Sequence, residues 1–126
     1  MSDRPPVSVI LLAGGYGTRL YPLTAHRPKT LLPLGAGTVL DWILNRVMAI
    51  RGLGQIVLVS NHRFIRQFET WRVGQPHAVE LVDDGTARPQ DRLGAIRDLL
   101  VGAERIAVTD DLLVIGTDNV FTWSLA

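Results

Sequence analysis

Residues 7–20 read VSVILLAGGYGTRL, an apolar run that ends directly in a glycine-rich loop. The run from Val7 to Ala13 is rich in β-branched residues, which is typical of a strand buried on both faces of a parallel sheet. Glycines lack a Cβ and let backbone N–H groups approach an anion closely, and Arg19 adds a planar cationic fork. The stretch therefore predicts a buried strand with an anion-binding loop at its carboxyl end.

Two better-known glycine loops do not fit this stretch. A dinucleotide-binding fingerprint needs a third glycine at the position that Leu20 occupies. A P-loop needs Lys and then Ser or Thr directly after its last glycine, whereas Thr18 and Arg19 follow Gly17. A second cation, Lys29, comes in a Pro-Lys pair a short interval later. Cations at these offsets from the glycines favour polyphosphate binding.

Strands and helices alternate along the rest of the chain. A second buried strand is predicted over Gln55–Ser60, a third strand of weaker pattern over His77–Val82, and a last strand over Leu112–Ile115. Amphipathic helices are predicted after Thr38, which has capping-box spacing to Asp41, after Asn61 as a cap, and over Asp91–Ala103 with Leu93, Ile96, Leu100 and Ala103 as its apolar stripe. The alternation predicts an α/β fold: three α/β/α layers with a mostly parallel, Rossmann-like sheet.

The predicted sheet brings two polar stretches to one edge. Ligands of such sheets bind outside the carboxyl ends of the strands, at the point where the strand order reverses. The glycine loop follows the first predicted strand, and Asp118 follows the last one. We therefore expect the two stretches to form one site.

Length and composition limit the classes of function. The 126 residues predict a single domain over residues 1–126. Lys and Arg number 13 against 12 Asp and Glu, and this net charge of +1 argues against a nucleic-acid partner. The absence of cysteine excludes disulfides and thiolate metal sites. Since the apolar runs are too short for a signal or membrane helix, we expect a cytoplasmic protein without a membrane partner.

The loop resembles the signature of the nucleoside-triphosphate transferases that make nucleotide sugars, L-A-G-G-x-G-T-R-L-x-P-L-T followed by P-K. The match covers the opening third of the chain well and the rest more loosely. Within that family the chain is similar to glucose-1-phosphate thymidylyl- and uridylyltransferases. The resemblance implies the fold of the nucleotide-diphospho-sugar transferases. It also implies transfer of a nucleoside monophosphate from a nucleoside triphosphate to a sugar-1-phosphate, with release of pyrophosphate.

The same resemblance implies roles for individual residues. The positions that would bind the triphosphate through the loop are Leu12, Ala13, Gly14, Gly15, Gly17 and Thr18. Arg19 would contact the oxygens of the departing pyrophosphate, and Lys29 would stabilise charge at the α-phosphorus. Asp118 would be a Mg²⁺ ligand, since Mg²⁺ takes carboxylate and phosphate oxygens. The family usually has Gly-Asp-Asn here, whereas this chain has Thr117 before Asp118.

The segments that meet the base and ribose in the family correspond loosely to residues 83–85 and 91–95. The alignment places Arg92 close to the position where a small residue usually lets the base approach, with Gly94 two residues on. Contact of either residue with the base stays open at this point.

Family members continue well past residue 126 and add the part that binds the acceptor. We therefore expect an incomplete C-terminus and only the nucleotide-binding half of a transferase. The alternative is a short protein that keeps the loop for binding only, as a non-catalytic nucleotide-sensing or interaction module. The early end also predicts an exposed sheet edge and self-association into a homo-oligomer through it.

Overall fold

The computed structural model describes residues 5–14, 26–86 and 94–117, and these contain a parallel sheet covered by helices. The strands of the sheet are β1 (Val7–Ala13), β4 (Leu53–Ser60), β5 (Glu80–Asp83) and β6 (Asp111–Gly116). A two-residue antiparallel pair consists of β2 (Pro33–Leu34) and β3 (Gly37–Thr38). The helices are α1 (Val39–Val47), α2 (Ile65–Val73) and α3 (Ala95–Ala103), and a 3₁₀ turn spans Lys29–Leu31.

The strand order is β5-β4-β1-β6, and every pairing in this sheet is parallel. From β1 the chain moves outward to β4 and β5, and it then returns to the other side of β1 to form β6. The order therefore reverses between β1 and β6, where Leu12 pairs with Gly116. This confirms the predicted α/β class and places the switch point beside the end of β1.

The two faces of the sheet carry separate apolar cores. On one face Val9 and Leu11 of β1 pack with buried residues of α1 and with Phe68 of α2. On the other face Ile10 packs with Val57 and Val59 of β4 and with partly buried residues of α3, including Leu99. Successive residues of a strand point to opposite faces, so β1 supplies both cores. The predicted three-layer α/β/α arrangement is confirmed.

The apolar stripe predicted for the third helix is wrong at Ile96 and Leu100, whereas Ala103 packs against the core as predicted. Leu93 lies outside the described residues. Ile96 and Leu100 are 75% and 57% exposed, whereas Asp98 is buried. The helix turns another face to the sheet because Gly102 lets its backbone come close. A Cβ added to Gly102 would lie 2.8 Å from Cγ2 of Val59 and 3.1 Å from Cγ2 of Ile10. Periodicity alone selected the larger apolar side chains and missed this close approach.

The predicted capping box at the start of α1 is confirmed. The Asp41 backbone N–H donates to Oγ1 of Thr38 at 3.2 Å, and the Thr38 N–H donates to Oδ2 of Asp41 at 2.8 Å. Oδ1 of Asp41 also accepts hydrogen bonds from Nε1 of Trp71 and Nε2 of Gln75. Burial alone would raise the pKa of Asp41, but these hydrogen bonds outweigh it and lower that pKa. Asp41 therefore caps α1 and fastens it to α2.

Within the described residues, none of the helices has the length and apolarity that a membrane span needs. β6 is the last strand on its side of the sheet in that part of the chain, and Leu112 and Val114 are exposed on it.

Candidate functional site

The carboxyl ends of the four parallel strands meet at one edge of the sheet. Gly14 follows β1, Asn61 follows β4, Asp84 follows β5 and Thr117 follows β6. This is the edge that the sequence predicted for ligand binding. Each of the four residues is held by side-chain or backbone contacts that tie neighbouring strands together.

Thr117 fastens the end of β6 to the end of β1. Its backbone N–H and its Oγ1 both donate to the carbonyl oxygen of Leu12, at 3.2 Å and 2.8 Å. Thr117 is buried, and the hydrogen bond of its hydroxyl group extends the contact between β1 and β6 past the end of their pairing. The predicted metal ligand Asp118 is the next residue in the chain and lies outside the described residues.

Asn61 ties Gly14 to the start of the segment that leads into α2. Its Nδ2 donates to the carbonyl oxygen of Gly14 at 3.1 Å, and its Oδ1 accepts from the backbone N–H of Phe64 at 2.9 Å. The second contact closes the turn before α2. The predicted capping of the helix by Asn61 is wrong, because α2 begins at Ile65 with Phe64 as its N-cap and without a side-chain cap. The first contact was missed, although a buried amide directly after a strand end is a signal for such a bridge.

Asp84 lies in the turn that follows β5. Its Oδ1 accepts from the backbone N–H of Thr86 at 2.8 Å and from Oγ1 of Thr86 at 2.7 Å. Its backbone N–H donates to the carbonyl oxygen of Ser60 at 2.8 Å. The turn is therefore attached to the end of β4, one residue before Asn61.

Gly14 has no room for a side chain. A Cβ built on it would overlap with Oδ2 of Asp98 and would lie 3.0 Å from Oδ2 of Asp84. The two carboxyl groups come from different elements, the turn after β5 and the first turns of α3. Sequence reasoning predicted the need for glycine but attributed it to the phosphate side of the loop, and it missed Asp98 altogether.

Asp98 is a buried acid, with 6% of its surface exposed. Burial raises the pKa of Asp98 to about 7, and the hydrogen bond and the charge of Asp84 act in the same direction. Among the described residues, Oδ1 of Asp98 and Oδ2 of Asp84 are buried without a hydrogen-bond partner. A proton held by this pair supplies a donor that two carboxylates lack.

His62 and Asp83 form a side-chain contact at the outer part of the same edge of the sheet. Nδ1 of His62 lies 2.6 Å from Oδ2 of Asp83, and Oδ1 of Asp83 accepts from the backbone N–H of Gly85. The His62 N–H also donates to the carbonyl oxygen of Thr86. His62 lies in the turn between the end of β4 and the start of α2 at Ile65.

Two more predicted site residues lie in the described part of the chain. Gly94 comes directly before α3 with a φ of 84°, and its carbonyl oxygen accepts from the backbone N–H of Asp98 at 3.1 Å. Lys29 opens the 3₁₀ turn, which packs against α1, and its side chain is partly buried. The structure thus brings Leu12, Ala13, Gly14 and Gly94 to the carboxyl edge, while Lys29 is on a separate segment. The predicted positions outside the described residues are Gly15, Gly17, Thr18, Arg19, Arg92 and Asp118.

No cluster of three metal-binding His, Cys, Asp or Glu side chains occurs within residues 5–14, 26–86 and 94–117. The predicted Mg²⁺ site therefore depends on Asp118. The residue before it in the chain, Thr117, is fixed against Leu12 beside the end of β1.

Comparison with known proteins gives a family match and close relatives. The family model described as "Nucleotidyl transferase" matches residues 8–126. A glucose-1-phosphate adenylyltransferase from Rhodococcus opacus is 33% identical over 133 residues, which cover 96% of this chain and 32% of that protein. The enzyme of the same name from Mycolicibacterium vanbaalenii is 40% identical over 77 residues, covering 58% of this chain and 19% of that protein.

Solved structures share the fold. A CTP:phosphocholine cytidylyltransferase from Streptococcus pneumoniae superposes with a TM-score of 0.77 at 25% identity, covering 96% of this chain and 49% of that one. An inositol-1-phosphate CTP transferase from T. maritima has a TM-score of 0.74 at 19% identity, covering 90% and 44%. The chain therefore spans a third or less of the curated relatives above, and about half of these solved structures.

Proposed function

Since the chain belongs to the nucleotidyl transferase family, we propose that the carboxyl edge of its sheet binds a nucleoside triphosphate. The bound nucleotide would supply a nucleoside monophosphate to a sugar-1-phosphate, with release of pyrophosphate. The observation that carries the proposal is the position of Gly14 at the carboxyl end of β1, beside the switch point, where Nδ2 of Asn61 holds its carbonyl oxygen at 3.1 Å. A backbone fixed in this way can present the following loop to phosphate oxygens.

The proposed reaction needs no covalent intermediate with the protein. A phosphate oxygen of the sugar-1-phosphate attacks the α-phosphorus of the triphosphate, forming a new P–O bond. The bond between the α-phosphorus and the bridging oxygen of the β-phosphate breaks, and its electron pair leaves with pyrophosphate. Such transfers depend on positioning and on charge stabilisation rather than on a protein nucleophile.

Two cationic side chains are proposed to stabilise the developing charge. Arg19 would hold the β- and γ-phosphate oxygens, which leave as pyrophosphate, because its fork suits two oxygens at once. Lys29 would act on the α-phosphate and the incoming phosphate as a compact point charge. The 3₁₀ turn gives Lys29 a fixed backbone, since the Leu31 N–H donates to the Pro28 carbonyl at 3.0 Å.

Asp118 is proposed to hold Mg²⁺ together with phosphate oxygens of the nucleotide. The ion would supply charge neutralisation to the phosphates when bound. The hydrogen bonds of Thr117 to Leu12 support the proposal, because they fix the residue before Asp118 at the switch point. Gly94, at the start of α3, and Arg92 remain proposals for contact with the base and ribose.

The names of the curated relatives favour adenosine triphosphate and glucose-1-phosphate as substrates. The sequence resemblance alone favoured thymidylyl or uridylyl transfer to the same sugar phosphate. We propose glucose-1-phosphate as the acceptor of the whole enzyme, with ATP as the first nucleotide to test. The acceptor is expected to need protein segments beyond those in this chain, which spans 32% of the Rhodococcus opacus relative.

A thermal-shift panel of ATP, CTP, GTP, UTP and dTTP, each with Mg²⁺, tests the proposed function. A ligand that binds the folded state at about 100 times its Kd stabilises it by roughly 2.7 kcal/mol. One nucleoside triphosphate should therefore raise the Tm of the protein clearly more than the corresponding nucleoside monophosphate does. A panel without any shift, at concentrations up to the solubility of the nucleotides, would contradict nucleotide binding.

Pyrophosphate release separates the transferase from the alternative nucleotide-sensing module. The chain should release little or no pyrophosphate alone, because holding both reactants in line can supply roughly 7 to 11 kcal/mol of the barrier. A longer form of the protein that includes the acceptor-binding part should release pyrophosphate when glucose-1-phosphate is added. Triphosphate binding without release in that longer form would favour the sensing module.

A further inference from the structure

Asp84 and Asp98 bring two carboxyl groups together beside Gly14, and the proposed reaction gives neither of them a role. Both Oδ2 atoms border the space that a Cβ on Gly14 would fill. Asp98 is 6% exposed and lies within the first turns of α3. Asp84 lies in the turn after β5. The pair therefore joins two separate elements at the root of the glycine loop.

If both acids were ionised, some of their carboxylate oxygens would be buried without a hydrogen-bond donor. Oδ1 of Asp84 accepts two hydrogen bonds from Thr86. Within the described part of the chain, Oδ2 of Asp84 and Oδ1 of Asp98 are buried and have no partner. Burying an unpaired charged oxygen is unfavourable, and two adjacent carboxylates also repel each other. One proton on the pair removes both problems, because a protonated carboxyl donates to its neighbour.

The contacts indicate which acid keeps the proton. The two donors of Thr86 stabilise a negative charge on Asp84, so Asp98 is the protonated partner. Burial raises the pKa of Asp98 to about 7, helped by the hydrogen bond and the charge of Asp84. Among the titratable and charged groups on the neighbouring described elements, His62 and Asp83 pair with each other. Arg63 lies over the ring of Phe64, and Arg97 on α3 is exposed. The ends of β1 and β4 contribute the uncharged Gly14, Ser60 and Asn61, and Arg92 and Asp118 lie outside the described residues.

We propose that Asp84 and Asp98 share one proton and act as positioning residues that hold Gly14 in place for the triphosphate. The carbonyl of Gly14 is held on its other side by Nδ2 of Asn61 at 3.1 Å, so the residue is fixed from both directions. Loss of the proton puts two negative charges beside the loop that must accept phosphate. Protonation of the pair and triphosphate binding therefore favour each other. The coupling between protonation and triphosphate binding rests on the proposed function, whereas the shared proton and its contact with Gly14 do not.

The shared proton is tested first without nucleotide, by NMR titration of the Asp98 carboxyl carbon and of the Gly14 amide. Asp98 should titrate near neutral pH, and the Gly14 amide should shift with the same midpoint. In Asp98→Asn the Gly14 response should disappear, because the amide group donates to Asp84 at every pH. Asp84→Asn is the second variant, since its Oδ1 can still accept from Thr86 while its amide donates to Asp98. A midpoint near the ordinary value for aspartate, or a Gly14 amide that ignores the titration, would overturn the proposal.

The effect on binding is tested with ATP and Mg²⁺ at about pH 6 and about pH 8.5, on either side of the expected midpoint. Over this range the affinity of the wild type should fall by about 5-fold or more relative to Asp98→Asn, a size typical of coupling between two sites. Protonation of the nucleotide is common to both proteins and cancels in the ratio. Glu104→Gln is the matched control, since it removes an exposed carboxyl group at the C-cap of α3. Its affinity for ATP should depend on pH as that of the wild type does.

The outcomes separate the two proposals. An equal pH dependence in the wild type and in Asp98→Asn would contradict the coupling of the pair to the phosphate loop. If ATP and the other triphosphates do not bind at any pH while Asp98 and Gly14 titrate together, the proposed function fails. That same result supports the shared proton and its contact with Gly14.

Discussion

The carboxyl group of Asp98 packs directly against the Cα of Gly14, so that an alanine at position 14 would overlap with Oδ2 of Asp98. The contact joins the first turns of α3 to the root of the glycine loop. Position 14 therefore needs a glycine because the Asp98 carboxyl group fills the space of a side chain, whether or not a ligand is bound.

Gly14→Ala should destabilise the fold and weaken triphosphate binding, because the added methyl group must displace the Asp98 and Asp84 carboxyl groups. Overpacking of this kind costs roughly 1–3 kcal/mol. Asp98→Ala in the same chain should recover part of the loss, since it vacates the space that the methyl group needs. Urea unfolding of the two single variants and the double variant measures the coupling. Additive losses would show that the two residues do not compete for the same space.

Stability should depend on pH through Asp98. The raised pKa keeps the proton on Asp98 in the folded protein up to about pH 7, whereas the unfolded chain loses it near 3.8, the ordinary pKa of aspartate. The stabilisation from this group is therefore complete below the unfolded pKa and is lost as the pH rises through the folded pKa.

The Asp98→Asn variant lacks this titration. Its free energy of unfolding should therefore rise relative to that of the wild type as the pH rises from 3.8 to about 7. The slope is at most about 1.4 kcal/mol per pH unit. Unfolding curves at several pH values measure the difference, with Glu104→Gln as the exposed control on the same helix. A difference that stays constant over this pH range would mean that Asp98 does not hold its proton in the folded protein.

The fold was largely predictable from the sequence because its strands are marked by apolar runs. β1 has the predicted bounds, Val7–Ala13, and the capping box of α1 follows from Thr38 and Asp41. β5 begins later than predicted, at Glu80 rather than His77, since its pairing with β4 starts where Val57 meets Glu80. Local patterns cannot set such a boundary, because it depends on the partner strand.

The carboxyl edge was predictable as a place but not in its contacts. The position of Gly14 followed from the motif, whereas Asn61 was expected to cap α2 and instead bridges to the carbonyl oxygen of Gly14. The contact of Asp98 with Gly14 joins residues far apart in the sequence, so no local pattern indicates it. The face that α3 turns to the sheet was missed for the same kind of reason, since Gly102 has no side chain to register in an apolar stripe.

Gly102→Ala should lower stability although alanine is the better helix former. Alanine gains about 1 kcal/mol in helix propensity, but overpacking costs roughly 1–3 kcal/mol. The steric effect should prevail because the new Cβ would lie 2.8 Å from a methyl group of the stiff, β-branched Val59.

Gly74→Ala at the end of α2 is the control for this substitution, since its Cβ would meet only the Trp71 carbonyl, at 3.8 Å. Chemical denaturation of both variants compares them. A Gly102→Ala protein more stable than the wild type would contradict the close packing of α3 on the sheet.

Arg19→Ala should weaken triphosphate binding far more than monophosphate binding, because the guanidinium is proposed to hold the β- and γ-phosphates. A charge-assisted bidentate contact contributes roughly 1.5 to 3 kcal/mol, or about 10- to 150-fold in affinity. Titration calorimetry with both nucleotides measures the ratio, and Arg66→Ala on the exposed face of α2 is a charge-matched control. Equal losses for the two nucleotides would place Arg19 away from the leaving group.

The central claim is that the carboxyl edge of the sheet, beside the switch point between β1 and β6, binds the triphosphate. Amide NMR of the chain titrated with the nucleoside triphosphate of highest affinity and Mg²⁺ tests it most directly. The account predicts saturable shifts at Gly14, Asn61 and Thr117, with little change at the opposite edge, where Leu53 and Asp111 begin their strands. Shifts confined to another surface, or no saturable shift with any triphosphate, would contradict it.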